Sequence, residues 1–124
     1  MARAGGPFSQ LDEAALRELV PRGIAREFPK RTVIVNQGDD TRSFYVLLSG
    51  RVKAYLTDDQ GREIVVNTIE AGDYFGELVL DGGPRAASIM TLEPCRVFMI
   101  PRGDLDELLA ANPAIARDLI ERLI

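Results

Sequence analysis

The residues best suited to chemistry lie together at positions 75–88, which read FGELVLDGGPRAAS. Glu77 accepts hydrogen bonds when ionised, so it can bind a hydroxyl group. Arg85 offers a planar fork of donors that matches the oxygens of a phosphate. The side chains of Ala86 and Ala87 are small enough for their backbone N–H groups to approach the same oxygens. An acid for a hydroxyl and a base for a phosphate fit a sugar phosphate as the ligand.

The residues between this acid and this base can form the backbone of such a site. Gly76 allows the backbone to lie close to a ligand, and positions 77–80 are long enough for one helical turn. The N-terminus of that turn would offer free N–H groups and a partial positive charge to an anion or to ribose oxygens. The alternative is a surface ion pair between Glu77 and Arg85, worth less than about 1 kcal/mol. Residue types alone favour the ion pair.

Composition limits the kind of protein that this sequence can encode. The chain has 124 residues, of which 46% are hydrophobic and 27% are charged, as in a single globular domain. Its apolar runs are too short to span a bilayer, and its N-terminus lacks the apolar region of a signal peptide. We therefore expect a cytoplasmic protein without a membrane segment.

The absence of histidine and the single cysteine argue against several functions. Without histidine the chain cannot form an imidazole-based triad, a haem–histidine bond or most transition-metal sites. Cys95 alone cannot form an internal disulfide or hold an iron–sulfur cluster, and we expect it in the core. We expect no cofactor and no enzyme, including a metal-dependent cupin of similar β-architecture. The net charge of −4 also argues against direct DNA binding, which needs a basic face.

Turn residues recur at near-regular intervals and separate short stretches of β-branched and aliphatic residues. Short, evenly spaced strands indicate a β-sandwich or barrel rather than βαβ units. In one stretch Val52 and Ala54 alternate with Lys53 and Tyr55, which predicts one buried and one solvated face. The turn glycines are Gly38, Gly50, Gly61, Gly72, Gly82 and Gly83, and the predicted strands cover 32–35, 44–49, 51–57, 63–69, 86–92 and 95–100.

Helical patterns occur only towards the two ends of the chain. Ser9 with Asp12 resembles a capping pair before a first helix, and Asp104 with Glu107 resembles another before a second helix. Pro113, after an asparagine, is typical of the first position of a third helix. We therefore expect helices on both sides of the β-domain.

The last segment suggests how the chain is divided. Its apolar stripe either packs on the β-core or docks a second copy of the chain. Because two aliphatic residues are an unusual end for a helix, we expect this helix to continue in a longer parent. Positions 1–7 would then be a flexible lead-in, 8–112 the folded domain and 113–124 the start of that helix. The stripe consists of Ile115, Leu119, Ile120, Leu123 and Ile124.

Two parts of the opening segment, FGE at 75–77 and PRAAS at 84–88, resemble the phosphate-binding cassette of cyclic-nucleotide-binding domains. Such domains occur in bacterial catabolite activator proteins of the Crp/Fnr family and in the regulatory subunits of protein kinase A. Positions 33–55 and 70–78 resemble the family's N-terminal strands and its lead into the cassette. The resemblance implies a mainly β (α+β) fold, an eight-stranded double-stranded β-helix or jelly roll flanked by N- and C-terminal helices.

The resemblance also implies a role for each cassette residue. Arg85 would neutralise the cyclic phosphate with help from the backbone of Ala86 and Ala87. Glu77 would accept a hydrogen bond from the ribose 2′-hydroxyl, beside the backbone of Gly76. Members that prefer cyclic GMP tend to carry threonine where Ala86 stands, so the sequence favours cyclic AMP.

Three apolar residues are candidates for the pocket wall. They are Leu78, Val66 and Ile89, and for each the alternative is a place in the ordinary core. The cassette also departs from the family pattern, because the interval from Gly76 to Arg85 is one residue shorter than in the kinase type. A shorter interval would change the register between the acid and the base.

By the same resemblance, the function is that of a sensor domain, the N-terminal effector domain of a Crp/Fnr-type transcription regulator. Its partners would be a cyclic nucleotide and a second copy, joined through the C-terminal helix into a homodimer. DNA would bind only to a downstream domain that is absent from this chain. Two alternatives stay open: a regulatory domain of a kinase or channel, and a ligand-independent dimerisation scaffold with a vestigial cassette.

Overall fold

The computed structural model describes residues 12–35, 43–75, 87–114 and 116–117. Within these ranges the chain forms eight strands between two helices. Their bounds are α1 Glu13–Leu19, β1 Ile24–Phe28, β2 Val33–Val35, β3 Ser43–Ser49, β4 Arg51–Thr57, β5 Glu63–Glu70, β6 Tyr74–Phe75, β7 Ser88–Thr91, β8 Cys95–Pro101 and α2 Arg102–Ala111. The described residues from Pro113 to Arg117 are also helical, as predicted. No helix in these ranges is long and apolar enough to cross a membrane.

The eight described strands form two antiparallel sheets of four strands each. Sheet 1 has the strand order β1-β8-β3-β6, and sheet 2 has the order β2-β7-β4-β5. Neighbours in a sheet are often distant in sequence, since β8 lies between β1 and β3, and β7 lies between β2 and β4. Two such sheets with helices at the chain ends are the predicted jelly-roll arrangement, and the fold class is confirmed.

Two hydrophobic clusters lie on opposite faces of sheet 1. The inter-sheet cluster lies between the sheets and consists of Val35, Tyr45, Leu47, Val52, Ala54, Ile69, Phe75, Ile89, Cys95 and Val97. The helix cluster joins the outer face of sheet 1 to both helices and consists of Leu16, Val20, Phe44, Val46, Tyr74, Phe98, Ile100, Leu105 and Leu108. Because side chains alternate along a strand, β3, β6 and β8 each supply both clusters. The part of sheet 1 that these three strands form is therefore buried on two faces.

Both helices begin differently from the prediction. Asp12 is itself the N-cap of α1, and its Oδ1 accepts a hydrogen bond from the Ala15 N–H at 2.9 Å. Ser9, its predicted partner, lies outside the described residues. In α2 the N-cap is Pro101, with φ −60° and ψ 148°, and no side chain bonds to the cap. The predicted Asp104 cap is wrong because the helix begins at Arg102, which places Asp104 in the first turn, where its charge suits the helix dipole.

The turn between β3 and β4 requires glycine. Gly50 has a φ of +93°, in the region that side chains disfavour. A Cβ atom at this position would lie 2.6 Å from the Cys95 Sγ and 2.6 Å from the Pro94 carbonyl oxygen. Gly61 and Gly72 also have positive φ, so three of the predicted turn glycines are confirmed. Gly38, Gly82 and Gly83 lie outside the described residues.

Candidate ligand-binding site

The described structure reaches the cassette from both sides. Phe75, the last residue of β6, is its first residue, and Ala87 is the first described residue of its C-terminal part. The predicted site residues Gly76, Glu77, Leu78, Arg85 and Ala86 lie outside the described residues. Their roles, and the alternative of an ion pair between Glu77 and Arg85, therefore stay predictions.

The N-terminal side of the cassette is held by two aromatic residues that point to opposite faces of sheet 1. The Phe75 ring, only 2% exposed, stacks on Tyr45 with ring centroids 4.8 Å apart. The Tyr74 ring stacks on Phe44 with centroids 5.2 Å apart. Such pairs contribute about 0.5–1.5 kcal/mol beyond the area that they bury. The entry to the cassette is thus fixed in the inter-sheet cluster by Phe75 and in the helix cluster by Tyr74.

Backbone hydrogen bonds reinforce this entry. Leu47 donates its N–H to the Asp73 carbonyl oxygen at 2.9 Å, and Gly72 donates to the Leu47 carbonyl oxygen at 2.9 Å. The carboxylate of Asp73 accepts from the Tyr74 N–H at 2.9 Å. A two-residue strand forms few ladder bonds of its own, so these bonds add to the register that β6 has with β3.

The C-terminal side of the cassette rests on sheet 2. Ala87 packs against the inter-sheet cluster, and Ile89 is a member of it with only 6% of its surface exposed. Ser88 and Ile89 pair with Tyr55 and Ala54 of β4. Ile89 is therefore part of the core, in the same cluster as Phe75. The two ends of the cassette thus lie on different sheets but on one buried cluster.

Val66, the other described candidate for the pocket wall, is not a core residue. It lies on β5, an edge strand, with 54% of its surface exposed, beside Ile64 and Val65 at 50% and 53%. In the pairing of β4 with β5, Ala54 lies opposite Asn67 and Tyr55 opposite Val65, so Val66 is the extra residue of a β-bulge. Strict alternation along the sequence gives no sign of this bulge. Val66 is available for contact with a ligand or another chain.

Charges beside this part of sheet 2 are paired. Lys53 forms an ion pair with Glu63 across β4 and β5, and its ammonium group lies 5.3 Å from the centroid of the Tyr55 ring. Tyr55 is buried, although alternation predicted a solvated face for it and for Lys53. This prediction is wrong for Tyr55, which lies between two neighbouring strands, opposite Val65 of β5 and Ser88 of β7.

Cys95 does not take part in chemistry at this site. Its thiol is buried in the inter-sheet cluster, as predicted, and lies within hydrogen-bond distance of the Arg51 and Glu93 carbonyl oxygens. Burial raises the pKa of the Cys95 thiol above its ordinary value. Because the thiolate is the nucleophilic form, this cysteine is a structural residue.

Comparison with known proteins defines the class to which this fold and cassette belong. The family model of the cyclic nucleotide-binding domain matches residues 25–112. The chain therefore belongs to the cyclic-nucleotide-binding domain family, and its similarities identify it as a domain of the Crp/Fnr type.

Individual relatives agree with this assignment. The chain is 30% identical over 124 residues to a CRP-like cAMP-activated global transcriptional regulator of Mycobacterium tuberculosis, covering 99% of this chain and 55% of that protein. The Thermus thermophilus catabolite activator protein superimposes with a TM-score of 0.79 at 28% identity, covering 94% of this chain and 55% of the other. The regulatory domain of Toxoplasma gondii PKA, solved with cAMP, gives 0.69 at 29% identity, covering 82% and 39%. The chain thus spans about half the length of such regulators.

Proposed function

We propose that this domain is a sensor that binds cyclic AMP through its cassette. Arg85 binds the cyclic phosphate together with the backbone N–H groups of Ala86 and Ala87. Glu77 accepts a hydrogen bond from the ribose 2′-hydroxyl beside the backbone of Gly76. Leu78 and Val66 form the apolar wall, which Ile89 supports from the buried cluster. Cyclic AMP acts here as a regulatory ligand and not as a cofactor.

One observation carries this proposal beyond family membership. Phe75 and Ile89, next to the two ends of the cassette, belong to one buried cluster although they come from different sheets. A ligand held between Glu77 and Arg85 would therefore be supported on both sides by a single packed core. Preorganised support of this kind lowers the cost of ordering a binding segment.

The same anchors suggest how binding is transmitted. Tyr74 lies next to Phe75 but packs in the helix cluster, where α2 contributes Leu105 and Leu108. A ligand that binds one arrangement of the cassette more tightly therefore also favours one arrangement of the helix cluster. Binding then shifts the equilibrium between alternative positions of α2. We propose that this shift is the output signal of the domain.

The context of the domain follows from the relatives that it resembles. We propose that it is the effector domain of a cytoplasmic transcription regulator that forms a homodimer through its C-terminal helix. DNA would bind to a separate, downstream domain. We propose no catalytic activity for the chain, since its relatives are regulators.

Isothermal titration calorimetry tests the ligand. We expect cyclic AMP to bind more tightly than cyclic GMP, and Arg85→Ala to weaken binding about 30- to 100-fold, because a hydrogen-bonded charge contributes about 2–3 kcal/mol. Arg62→Ala is the matched control, since Arg62 is an exposed arginine at the β4–β5 turn, and it should leave affinity unchanged. Absence of wild-type binding at millimolar cyclic AMP would refute the proposal.

A second candidate function is a ligand-independent dimerisation module. The observation that favours it is the exposed aliphatic run Ile64–Val66 on an edge strand, which is a surface suited to association. Sedimentation equilibrium of the wild type and of Val65→Lys distinguishes the two functions. The scaffold function would be supported, and the sensor function contradicted, by two results together: the wild type forms a dimer that Val65→Lys dissociates, and the wild type does not bind cyclic AMP.

A further inference from the structure

A groove of about 600 Å³ lies at the end of the β-sandwich away from the cassette. Its lining includes Ser49, the last residue of β3, whereas the cassette anchor Phe75 pairs with Tyr45, four residues earlier. At about 3.3 Å per residue, this separates the two places by roughly 13 Å along β3. The volume lies within the range typical of ligand sites, about 300–1,000 Å³. The groove is thus a feature separate from the proposed nucleotide site.

Among the described residues that line it, the groove combines an apolar surface with one cation that forms no ion pair. Phe28, Pro29 and Pro94 supply the apolar surface, and Lys30 supplies the charge. Arg96 also lines the groove, but its guanidinium is already occupied. It donates to the two Glu13 carboxylate oxygens at 2.7 and 2.9 Å and to Glu27 at 3.1 Å. A ligand would therefore meet Lys30 as the available charge in the groove itself.

Arg31, next to Lys30, doubles this positive charge. Both side chains are exposed, and neither forms an ion pair with any residue in the described part of the chain. The chain as a whole carries a net charge of −4. These two adjacent cations without ion pairs, of which Lys30 lines the groove, therefore favour an anionic partner.

The turn that carries these cations is held rigidly. The Thr91 hydroxyl, fully buried, donates to the Pro29 carbonyl oxygen at 2.7 Å and accepts from the Thr32 N–H at 2.8 Å. The Arg31 N–H donates to the Thr91 carbonyl oxygen at 3.0 Å, and Thr91 donates its own N–H to the Thr32 carbonyl oxygen at 2.9 Å. These four bonds tie the β1–β2 turn to the end of β7.

Arg31 adopts a backbone conformation that its side chain disfavours. Its φ is +62°, a left-handed value that costs a residue with a Cβ about 1–2 kcal/mol and that glycine or asparagine adopts more readily. Stability alone would therefore favour another residue here. A strained position at a rigid turn is the kind of site at which a side chain serves binding.

We infer that this groove binds an acidic peptide segment of a partner protein, with an apolar side chain seated on Phe28 and Pro94 and carboxylates on Lys30 and Arg31. A peptide fits better than a nucleic acid, because two cations are few for a phosphate backbone. This interface does not depend on the cassette, and it would serve to recruit the domain to a second protein.

Fluorescence anisotropy with the full 124-residue chain tests this inference. The probe is a fluorescein-labelled hexapeptide in which one phenylalanine lies among alternating glutamate and aspartate residues. We expect saturable binding that weakens as salt is raised, and at least about tenfold weaker binding by the double variant Lys30→Gln with Arg31→Asn. Asparagine is chosen because it tolerates the left-handed conformation, so the double variant should melt at no lower temperature than the wild type.

Controls separate this site from general electrostatics and from the nucleotide site. Arg62→Gln removes an exposed arginine at the β4–β5 turn and should change peptide affinity by less than about twofold. Amide shifts in a ¹⁵N NMR titration should centre on Lys30, Ser49 and Cys95. The double variant should bind cyclic AMP like the wild type. Three outcomes would each overturn the inference. Binding does not saturate at millimolar peptide, Arg62→Gln weakens peptide binding as much as the double variant does, or an oligonucleotide of matched charge binds more tightly than the peptide.

Discussion

The Phe75→Leu substitution should weaken cyclic AMP binding by acting on the anchor of the cassette rather than on the ligand itself. Leucine keeps an apolar side chain in the inter-sheet cluster but removes the ring that stacks on Tyr45 at 4.8 Å. The lost stacking is worth about 1 kcal/mol, and the smaller side chain adds a cavity cost of similar size. We therefore expect the free energy of unfolding to fall by about 2 kcal/mol.

The effect on affinity follows from the position of Phe75 next to Gly76. The arrangement that binds ligand needs the stacked ring in this proposal. Losing about 1 kcal/mol of stacking energy therefore reduces the fraction of molecules that can bind and weakens the apparent affinity about fivefold. Calorimetric titration with cyclic AMP measures this change, and urea unfolding measures the stability of the same sample. Alanine at this position is a poorer test, because its larger cavity, about 3–5 kcal/mol, can unfold the domain.

Gly50→Ala provides the matched control. Gly50 lies at the turn between β3 and β4 and belongs to neither hydrophobic cluster. The clash of a new Cβ with Cys95 should cost at least as much stability, while affinity changes less than about twofold. Equal loss of affinity in both variants would show that the cassette responds to global stability. Unchanged affinity in Phe75→Leu would show that the anchor has no part in binding, and either result would refute the reasoning.

Three further predictions test the fold around these sites. Gly50→Ala should lower the free energy of unfolding in urea by more than about 2 kcal/mol. Gly61→Ala should cost only about 1 kcal/mol, because Gly61 has a positive φ but no atom lies within 4 Å of a new Cβ. Equal costs would contradict the predicted clash with Cys95. Thr91→Val should cost about 1–2 kcal/mol, because it leaves two partly buried backbone groups without their hydroxyl partner, and a neutral result would contradict the hydrogen bonds described. The hydrogen bonds and charge of Arg96, followed by those of Arg17, lower the pKa of Glu13 from 4.5 to about 2. A carboxylate whose pKa is lowered by folding stabilises the folded state at pH values above its ordinary pKa, and this stability is lost as the pH falls. Unfolding measured from pH 5 to pH 2 should therefore show a steeper loss of stability in the wild type than in Glu13→Gln. Parallel curves for the two proteins would contradict this prediction.

The fold could be predicted because its determinants are local. A turn glycine needs only its own backbone conformation, and Gly50, Gly61 and Gly72 each have the positive φ that a tight turn demands. β-Branched stretches between such turns can form little but short strands, so the predicted strand at 63–69 is β5, Glu63–Glu70. The turn spacing therefore predicts a two-sheet architecture without knowledge of which strands pair.

The details that were missed depend on distant parts of the chain. The bulge at Val66 arises from pairing with β4, so no pattern within β5 reveals that three consecutive aliphatic residues are exposed. Tyr55 is buried by its neighbours across two strands, although its position in the alternation indicates solvent. The start of α2 is set by the end of β8 at Pro101 rather than by the acidic residue that resembles a cap.

The element most important to the proposed site is also the one that periodicity cannot detect. β6 has only two residues, too few for any alternating pattern, yet its residues Tyr74 and Phe75 belong to different clusters. Longer strands of sheet 1 also contribute to both clusters, but they do not lead directly into the cassette. Because Phe75 shares its cluster with Ile89 on the far side of the cassette, and Tyr74 shares its cluster with α2, a two-residue strand connects the proposed ligand site to the core and the helix. A motif match identifies the cassette, but only the three-dimensional pairing of β6 with β3 explains how the cassette can act on the rest of the domain.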